Sequence, residues 1–196
     1  DVIAQASTGS GKTAAFGLPL VEKLTANFHA VQALVLCPTR ELADQVTTEI
    51  RRLARATANI KVVTLCGGVA LRGQEQSLQH GAHVVVGTPG RILDHLTRGH
   101  LRLDSVKTLV LDEADRMLDM GFFDDMKQLI QQCPPKRQTL LFSATYPEGI
   151  AKLSAQFMRD PQTVKVQTVH SADKIQQLFY EVREDERLHA VSLLLN

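Results

Sequence analysis

Residues 6–13 constrain the fold more than any other stretch of this chain. They place two glycines and a Lys-Thr pair between a short apolar run, residues 2–4, and a helix-compatible segment that begins at Ala14. Glycine lets the backbone wrap closely because it has no Cβ atom. The loop N–H groups and the positive end of the following helix then face an anion. The residues are Ala6, Ser7, Thr8, Gly9, Ser10, Gly11, Lys12 and Thr13.

This order of strand, glycine loop, Lys-Thr and helix is typical of a phosphate-binding P-loop, and it indicates a nucleoside triphosphate. In such a loop Lys12 reaches the β- and γ-phosphates, and the hydroxyl of Thr13 is a ligand of Mg²⁺. One position departs from the pattern, because Ala6 stands where the motif has glycine. The alternative is a glycine-rich turn without function, which the flanking strand and the Lys-Thr pair disfavour. The loop alone does not define the reaction.

Composition limits the remaining possibilities. The chain has 196 residues, of which 44% are apolar, and its formal net charge is +1. Any nucleic-acid surface must therefore be local, because the chain has no overall basic character. No apolar run reaches membrane-spanning length, so we expect no membrane partner. Cys37, Cys66 and Cys133 are far apart in the sequence, which favours reduced thiols and a cytoplasmic location. His80 and His83 flank Gly81, and we expect both at the surface.

Short, continuously apolar runs alternate with segments of helical period along most of the chain. This alternation predicts an α/β fold in which helices cover both faces of a parallel sheet. The predicted strands are residues 2–4, 33–37, 62–65, 84–86, 109–111, 139–142 and 164–166. The predicted helices are residues 40–55, 71–79, 89–96, 124–132 and 148–157, with a further helix after Thr13.

The character of the sequence changes near residue 170. Residues 171–174 are polar and linker-like, residues 178–182 are compatible with a strand, and residues 186–195 with a helix. The apolar face of that helix either packs on the preceding domain or begins a second domain, and the preceding linker favours the second reading. We therefore expect one domain over residues 1–170, and a linker with the start of another domain over residues 171–196.

An acidic run directly follows one of the buried strands. Residues 109–111 lead into Asp112, Glu113, Ala114 and Asp115. Ligands of open parallel sheets bind beyond the carboxyl ends of the strands, where Asp112 could hold Mg²⁺. Glu113 could then orient a water molecule and take its proton during attack on the γ-phosphate. A solvated acidic turn is the alternative, and the P-loop in the same chain disfavours it.

The acidic run and four more short stretches follow the glycine loop in a pattern that resembles the first RecA-like domain of the DEAD-box RNA helicases. The resemblance covers residues 1 to about 170, and it rests on the joint order and spacing of the motifs. The stretches are Pro38-Thr39-Arg40-Glu41-Leu42-Ala43 (motif Ia), Gly67-Gly68 (GG motif), Thr88-Pro89-Gly90-Arg91 (motif Ib), Asp112 to Asp115 (motif II) and Ser143-Ala144-Thr145 (motif III). Residues 65–68, 116–122 and 137–142 also resemble the bacterial DbpA-type subgroup, which implies a role in ribosome assembly.

The resemblance implies ATP and Mg²⁺ as ligands and an RNA-stimulated ATPase and helicase activity. It implies a catalytic set of Lys12, Asp112, Glu113, Asp115, Ser143 and Thr145, in which Asp115 couples to the last two residues. It implies contacts with the RNA backbone, independent of sequence, for Pro38, Thr39, Arg40, Gly67, Gly68, Thr88, Gly90 and Arg91. The partners implied are RNA and a second RecA-like domain on the same polypeptide, in a protein that acts as a monomer.

The same resemblance implies that two parts of the complete site lie outside these 196 residues. The family's adenine-reading Q motif precedes the P-loop, and arginines of the second domain complete the catalytic site. We therefore expect weak nucleotide binding and little turnover from this chain by itself. Two other functions stay open: an ATP-gated RNA clamp or scaffold that separates few strands, and a P-loop motor that acts on DNA.

Overall fold

Seven parallel strands form a single sheet in the computed structural model, which describes residues 1–6, 9–57, 59–166, 178 and 180–194. The strand order is β3-β4-β2-β5-β6-β1-β7. The strands are β1 (Val2–Gln5), β2 (Ala33–Leu36), β3 (Val62–Leu65), β4 (Val84–Gly87), β5 (Thr108–Leu111), β6 (Gln138–Ser143) and β7 (Gln162–Lys165).

Helices cover the sheet on both sides. They are α1 (Lys12–Glu22), α2 (Arg40–Leu53), α3 (Leu71–Gln79), α4 (Pro89–Thr97), α5 (Ala114–Asp119), α6 (Phe123–Gln132) and α7 (Glu148–Phe157), whereas α8 (Arg187–Leu194) contributes to neither core. Apolar residues of α1 and α2 share one core, whereas those of α3 to α7 share the other. Strand β2 contributes to both cores, because Leu34 and Leu36 face one and Val35 faces the other. The predicted α/β fold with a doubly covered parallel sheet is therefore confirmed.

Helix α5 was not predicted from the sequence. It has only six residues, and it follows Glu113, whose backbone is left-handed with φ 50°. Too few residues are present for a helical period to be recognised. Helix α2 also ends earlier than predicted, at Leu53, and continues as a 3₁₀ turn over Ala54–Ala56.

The prediction of a surface position is wrong for His83, whose side chain is 1% exposed. Its Nδ1 accepts a hydrogen bond from the backbone N–H of Lys61 at 3.0 Å, and its Nε2 donates to the carbonyl of Ala26 at 2.9 Å. Both ring nitrogens are therefore used to hold neighbouring loops, which offsets the cost of burying a polar ring.

The end of the chain follows the prediction only in part. The predicted linker, residues 171–174, lies outside the described residues. Of the predicted strand, residues 178 and 180–182 are described, and they have no strand structure. Helix α8 forms where a helix was predicted, and none of its residues is buried. Among the helices that the structure describes, none is long and apolar enough to cross a membrane.

Candidate functional site

The parallel arrangement brings the carboxyl ends of the central strands to one edge of the sheet. Strands β2, β5, β6 and β1 are neighbours in that order, and Gln5 at the end of β1 is in register with Ser143 at the end of β6. The loops that follow these four strands therefore lie side by side, which is the position where open parallel sheets bind ligands.

The glycine loop connects β1 to α1. Gly9 and Gly11 have φ angles of 81° and 83°, in the left-handed region that residues with a Cβ rarely adopt. Apart from the chain neighbours of each glycine, no atom of the described residues lies within 4 Å of the position that a Cβ would occupy at Gly9 or Gly11. The Nζ of Lys12 donates to the carbonyl of Ala6 at 3.3 Å. The loop thus leaves open space in front of the α1 N-terminus, where an anion would be favoured.

The glycine loop and the acidic run line one cavity of about 440 Å³. Two polar residues of α2, Gln45 and Glu49, also line it, and sequence reasoning did not identify them. In the sequence, the signal for these two residues is weak: they are four positions apart, on one side of the predicted helix, next to the apolar Val46. Ser7 and Thr8, also predicted to bind the nucleotide, lie outside the described residues. The lining residues are Gly9, Gly11, Lys12, Thr13, Ala14, Leu42, Gln45, Val46, Glu49, Asp112 and Glu113.

Asp112 lies at the base of this cavity, after the last residue of β5, and is 2% exposed. Burial raises the pKa of Asp112 to about 6, and the charge of Glu113 acts in the same direction. The charge of Lys12 and a hydrogen bond from the backbone N–H of Glu113, at 3.1 Å to Oδ1, oppose the increase in pKa. The chain therefore buries a carboxylate that a cation in the cavity would stabilise.

The residues present suit Mg²⁺, which prefers hard oxygen ligands and is usually held by one or two protein groups together with phosphate oxygens. The hydroxyl of Thr13 and the carboxylate of Asp112 are such groups, and both line the cavity. Within the described part of the chain, no cluster of three or more His, Cys, Asp and Glu side chains could hold a metal ion by itself. The donor set therefore fits a metal that arrives with the nucleotide.

Glu113 has an unusual backbone and one ionic partner. Its φ of 50° is left-handed, a conformation that costs energy for a residue with a Cβ. Its Oε2 lies 3.3 Å from Nη1 of Arg116, one turn along α5. Backbone strain of this kind is concentrated at functional sites. The turn directs Asp112 and Glu113 into the same cavity.

The third acidic residue, Asp115, joins the ends of β5 and β6. Its Oδ2 accepts hydrogen bonds from the backbone N–H and from the hydroxyl of Thr145, both at 2.9 Å. Its own N–H donates to Oγ of Ser143 at 3.3 Å, and the carbonyl of Ser143 accepts from the N–H of Ala6 at 3.1 Å. The structure thus brings Asp115, Ser143 and Thr145 together and connects them to the start of the glycine loop.

The hydrogen bonds also affect the ionisation of Asp115. Partial burial by itself would raise the pKa of Asp115. The hydrogen bonds from Thr145, from Ser143 and from the N–H of Arg116 outweigh that effect, so the pKa is lowered overall. The carboxylate is therefore held in its charged form, which is the form that accepts both hydrogen bonds from Thr145.

The segments predicted to bind RNA follow the neighbouring strands β2, β4 and β3, so they lie side by side at the carboxyl ends of these strands. The side chain of Arg40 is 52% exposed, and a Cβ at Gly68 would lie 3.7 Å from its Nη1. The side chain of Arg91, in contrast, is only 15% exposed, and its Nη1 donates to the carbonyl of Val69 at 2.9 Å. The structure therefore leaves Arg40 accessible to a ligand, whereas Arg91 is bonded within the protein.

The other predicted RNA-binding residues have different environments. Thr39 caps α2, because its Oγ1 accepts a hydrogen bond from the N–H of Leu42 at 3.3 Å. Gly67 and Gly68 are exposed, and Gly68 has a φ of 75°. Pro38 is buried, whereas Thr88 and Gly90 are partly exposed. Pro38 therefore offers little surface to a ligand, whereas the glycine pair is exposed.

A glycine loop before a helix, opposite a buried Asp at the end of a neighbouring parallel strand, defines a P-loop nucleoside triphosphate-binding domain of RecA-like fold. Comparison with known proteins makes the assignment specific. The sequence profile of the DEAD/DEAH box helicases matches residues 1–153. The chain therefore belongs to the DEAD/DEAH box helicase family, and it corresponds to the N-terminal RecA-like domain of the DEAD-box proteins.

Individual relatives agree with this assignment. The ATP-dependent RNA helicase DbpA of Escherichia coli (strain K12) is 53% identical over 196 residues, which are 100% of this chain and 43% of the relative. The DEAD-box ATP-dependent RNA helicase CshA of Geobacillus kaustophilus is 48% identical over 100% of the chain and 42% of its own length. The chain thus spans about two fifths of the curated relatives it matches.

A solved structure has the same fold. The crystal structure of a DEAD box protein from the hyperthermophile Methanococcus jannaschii superposes with a TM-score of 0.82 and 45% sequence identity. The match covers 100% of this chain and 52% of that one. A structure of a hypothetical ATP-dependent RNA helicase from Sulfolobus tokodaii has a TM-score of 0.77 and covers 85% of this chain.

Proposed function

We propose that this chain is the ATP-binding domain of an ATP-dependent RNA helicase. The observation that carries the proposal is the single cavity that Lys12 and Thr13 share with Asp112 and Glu113. It combines a cation and helix N-terminus for phosphate with two carboxylates at a strand end, which are the groups that phosphoryl transfer to water needs. The names of the relatives, which are ATP-dependent RNA helicases, support the same conclusion.

Four residues of the cavity take part in the reaction in this proposal. Lys12 leaves the Ala6 carbonyl and binds the β- and γ-phosphates, while Thr13 and Asp112 would hold Mg²⁺. The metal, when bound, would supply positive charge to the phosphate oxygens. Glu113 accepts a proton from the attacking water, whose oxygen bonds to the γ-phosphorus as the bond to the bridging β–γ oxygen breaks. ADP and phosphate are the products.

Asp115 and Thr145 are proposed to transmit the state of the nucleotide to domain closure. Their hydrogen bonds join the acidic run to the end of β6, and Ser143 continues the connection to the glycine loop. A second RecA-like domain on the same polypeptide would then close on the RNA and complete the catalytic site. We propose that residues 1–170 form the first domain and that residues 171–196 lead into the second.

The proposed RNA surface consists of the exposed Gly67-Gly68 pair, Arg40 and the neighbouring loop ends. Backbone N–H groups and an arginine bind phosphate and sugar without reading bases. The bound strand would be bent and released from its partner after hydrolysis. Residues 65–68, 116–122 and 137–142 resemble the DbpA-type subgroup. Because of this resemblance, we further propose that the RNA takes part in ribosome assembly.

Nucleotide binding tests the proposal directly. Titration of a fluorescent ATP analogue with Mg²⁺ should give saturable binding to the 196-residue chain. The Lys12→Met variant should bind at least about tenfold more weakly, since it loses a charge-assisted phosphate contact. Lys23→Met is the matched control, because Lys23 bonds to Gln138 on the exposed surface and does not line the cavity. Equal binding by Lys12→Met and the unmodified chain would refute the proposed site.

Strand displacement separates the remaining alternatives. The assay uses this chain joined to a second RecA-like domain, a short RNA duplex and ATP. Displacement supports the helicase, whereas ATP-dependent retention of single-stranded RNA without displacement supports the clamp or scaffold. Replacement of the RNA by DNA of the same sequence tests the third possibility, because equal stimulation of ATP turnover by DNA would favour a DNA motor.

A further inference from the structure

Gln74, on helix α3, is a buried polar residue that belongs to none of the sequence motifs. The residue is 7% exposed, and its amide group has three hydrogen-bond partners among the described residues. Its Nε2 donates to the carbonyl of Cys66 at 2.9 Å. Its Oε1 accepts from Nη1 of Arg91 at 3.0 Å and lies 2.9 Å from Nε2 of His95. One amide thus connects β3, α3 and α4.

The partners of Gln74 place it at the glycine pair. Cys66 directly precedes Gly67 and Gly68, and Val69 directly follows them. The carbonyl of Cys66 is held by Gln74, and the carbonyl of Val69 is held by Arg91. Since Gln74 also binds Arg91, both ends of the glycine pair are fixed by two side chains that are bonded to each other.

The donor and acceptor pattern admits no other arrangement of the amide. Arginine only donates, so the oxygen of Gln74 must face Arg91 and its NH₂ group must face the carbonyl of Cys66. His95 then donates through Nε2, which leaves its buried Nδ1 without a proton, and this nitrogen has no hydrogen-bond partner among the residues that the structure describes. Burial, followed by the charges of His100 and Arg91, lowers the pKa of His95, which agrees with a neutral ring.

We propose that Gln74 is a positioning residue for the RNA surface. It holds the glycine pair and Arg91 in the arrangement that presents the exposed backbone of Gly67 and Gly68 to an RNA strand. Glycines are the residues with the most backbone freedom to lose, so fixing both ends before binding reduces the entropy lost when RNA binds. The inference rests on the proposed RNA surface and deepens it.

Two variants of Gln74 separate positioning from simple packing. Glutamate keeps an acceptor for Arg91 and His95 but cannot donate to the carbonyl of Cys66, so it releases only the glycine pair. Methionine fills the space and removes all three hydrogen bonds. Gln76→Met is the matched control on the same helix, because Gln76 is exposed and its side chain has no role in this cluster.

The measurements are the Kd for single-stranded poly(U) RNA, the Kd for a fluorescent ATP analogue, and the NMR signal of the His95 Nε2 proton. For Gln74→Glu we expect RNA affinity to fall about tenfold, the effect of one lost buried hydrogen bond. We expect nucleotide affinity to stay within about twofold of the unmodified chain, and the His95 proton to remain protected. Gln74→Met should weaken RNA binding at least as much and lose the protected proton.

Three results would overturn the inference. Unchanged RNA affinity in Gln74→Glu would show that the bond to Cys66 has no role in RNA binding. A parallel loss of RNA and nucleotide affinity would show a general structural defect. Absence of RNA binding by the unmodified chain would refute the RNA surface as well, whereas the first two results would leave the proposed function intact.

Discussion

The carboxylate of Asp115 accepts two hydrogen bonds from one residue, the N–H and the hydroxyl of Thr145, each at 2.9 Å. The two residues are thirty positions apart in the sequence. Asp115 lies in the first turn of α5, after β5, and Thr145 lies in the loop after the neighbouring strand β6. This contact fixes the helix and the loop relative to each other beside the cavity of the glycine loop. It is therefore a point where a change at the cavity can reach the rest of the domain.

Replacement of Thr145 by valine should weaken this connection. The variant keeps the backbone donor and the side-chain shape but loses the hydroxyl. We expect a loss of roughly 0.5–1 kcal/mol in the free energy of unfolding at pH 7, the lower part of the range for a hydrogen bond, because the group is exposed. Urea denaturation provides the measurement, and Thr145→Ser, which retains the hydroxyl, should be close to the unmodified chain.

The pH dependence of that loss has a defined sign. The hydrogen bonds lower the pKa of Asp115, so their contribution is present above the ordinary carboxyl pKa and disappears as the pH falls through the folded value. The difference between Thr145→Val and the unmodified chain should therefore shrink in acid. A difference that grew below about pH 4 would contradict this account.

Asp112→Asn should stabilise the nucleotide-free chain at neutral and alkaline pH. Burial raises the pKa of Asp112 to about 6, above its unfolded value, so its ionisation opposes folding as the pH rises through 6. Asparagine keeps an oxygen for the N–H of Glu113 and carries no charge. We expect a gain of roughly 3 kcal/mol in the free energy of unfolding at pH 8, because each unit of pKa difference corresponds to about 1.4 kcal/mol.

The same variant should show almost no stability difference near pH 4, where the carboxyl is protonated in the folded state. Denaturation curves at the two pH values, without nucleotide or Mg²⁺, provide the test. The variant should also bind the Mg²⁺–ATP analogue more weakly, because asparagine is a poorer ligand for Mg²⁺. Equal stability of the two proteins at pH 8 would mean that Asp112 is not desolvated.

Gly87 is required by the close approach of two backbones at the end of the sheet. A Cβ at this position would lie 2.0 Å from the carbonyl oxygen of Leu65. Because this oxygen belongs to the backbone, the clash cannot be relieved by rotation of a side chain. Gly87→Ala should therefore destabilise the chain by roughly 3 kcal/mol, the upper part of the range for overpacking. Thermal denaturation measures the effect.

Gly73→Ala is the control for this substitution. Gly73 lies within α3, and a Cβ there would meet no atom within 4 Å. Alanine should stabilise the helix by roughly 0.5–1 kcal/mol. Opposite signs for the two glycines would support steric contact as the cause, whereas similar effects would point to a general preference for glycine.

Arg40 should contribute to RNA binding through charge. Its side chain is half exposed and lies next to Gly68, with Asp44 3.7 Å away. Arg40→Ala should weaken binding to single-stranded RNA several-fold and make the salt dependence shallower by about 0.7, the loss of one phosphate contact. Arg102→Ala is the control, because Arg102 has the same charge and a highly exposed side chain. It lies in the segment before β5, and therefore at the amino ends of the strands, opposite the proposed RNA surface. Equal effects of the two substitutions would exclude a local RNA surface at Arg40.

Much of this organisation follows from local sequence patterns. Continuous apolar runs such as residues 33–36 and 84–86 predicted buried parallel strands, because both of their faces meet covering helices. The glycine loop predicted a nucleoside triphosphate, and the Asp after β5 predicted a position for Mg²⁺, since ligands of parallel sheets bind beyond the carboxyl ends of the strands. The DEAD-box resemblance rests on short motifs of the same kind, whose order and spacing can be read from the sequence without knowledge of tertiary contacts.

Other features depend on residues that are distant in the sequence, and only the folded chain reveals them. The sequence does not indicate that Arg91 is bonded within the protein, that Gln74 holds the glycine pair, or that His83 is buried. A side chain's partners and its exposure are determined by which elements pack around it. The sequence by itself therefore determined the family, the order of the elements and the choice of residues that we propose bind the nucleotide. The tertiary structure decided which polar groups remain free for ligands, because that depends on hydrogen bonds and desolvation between distant segments.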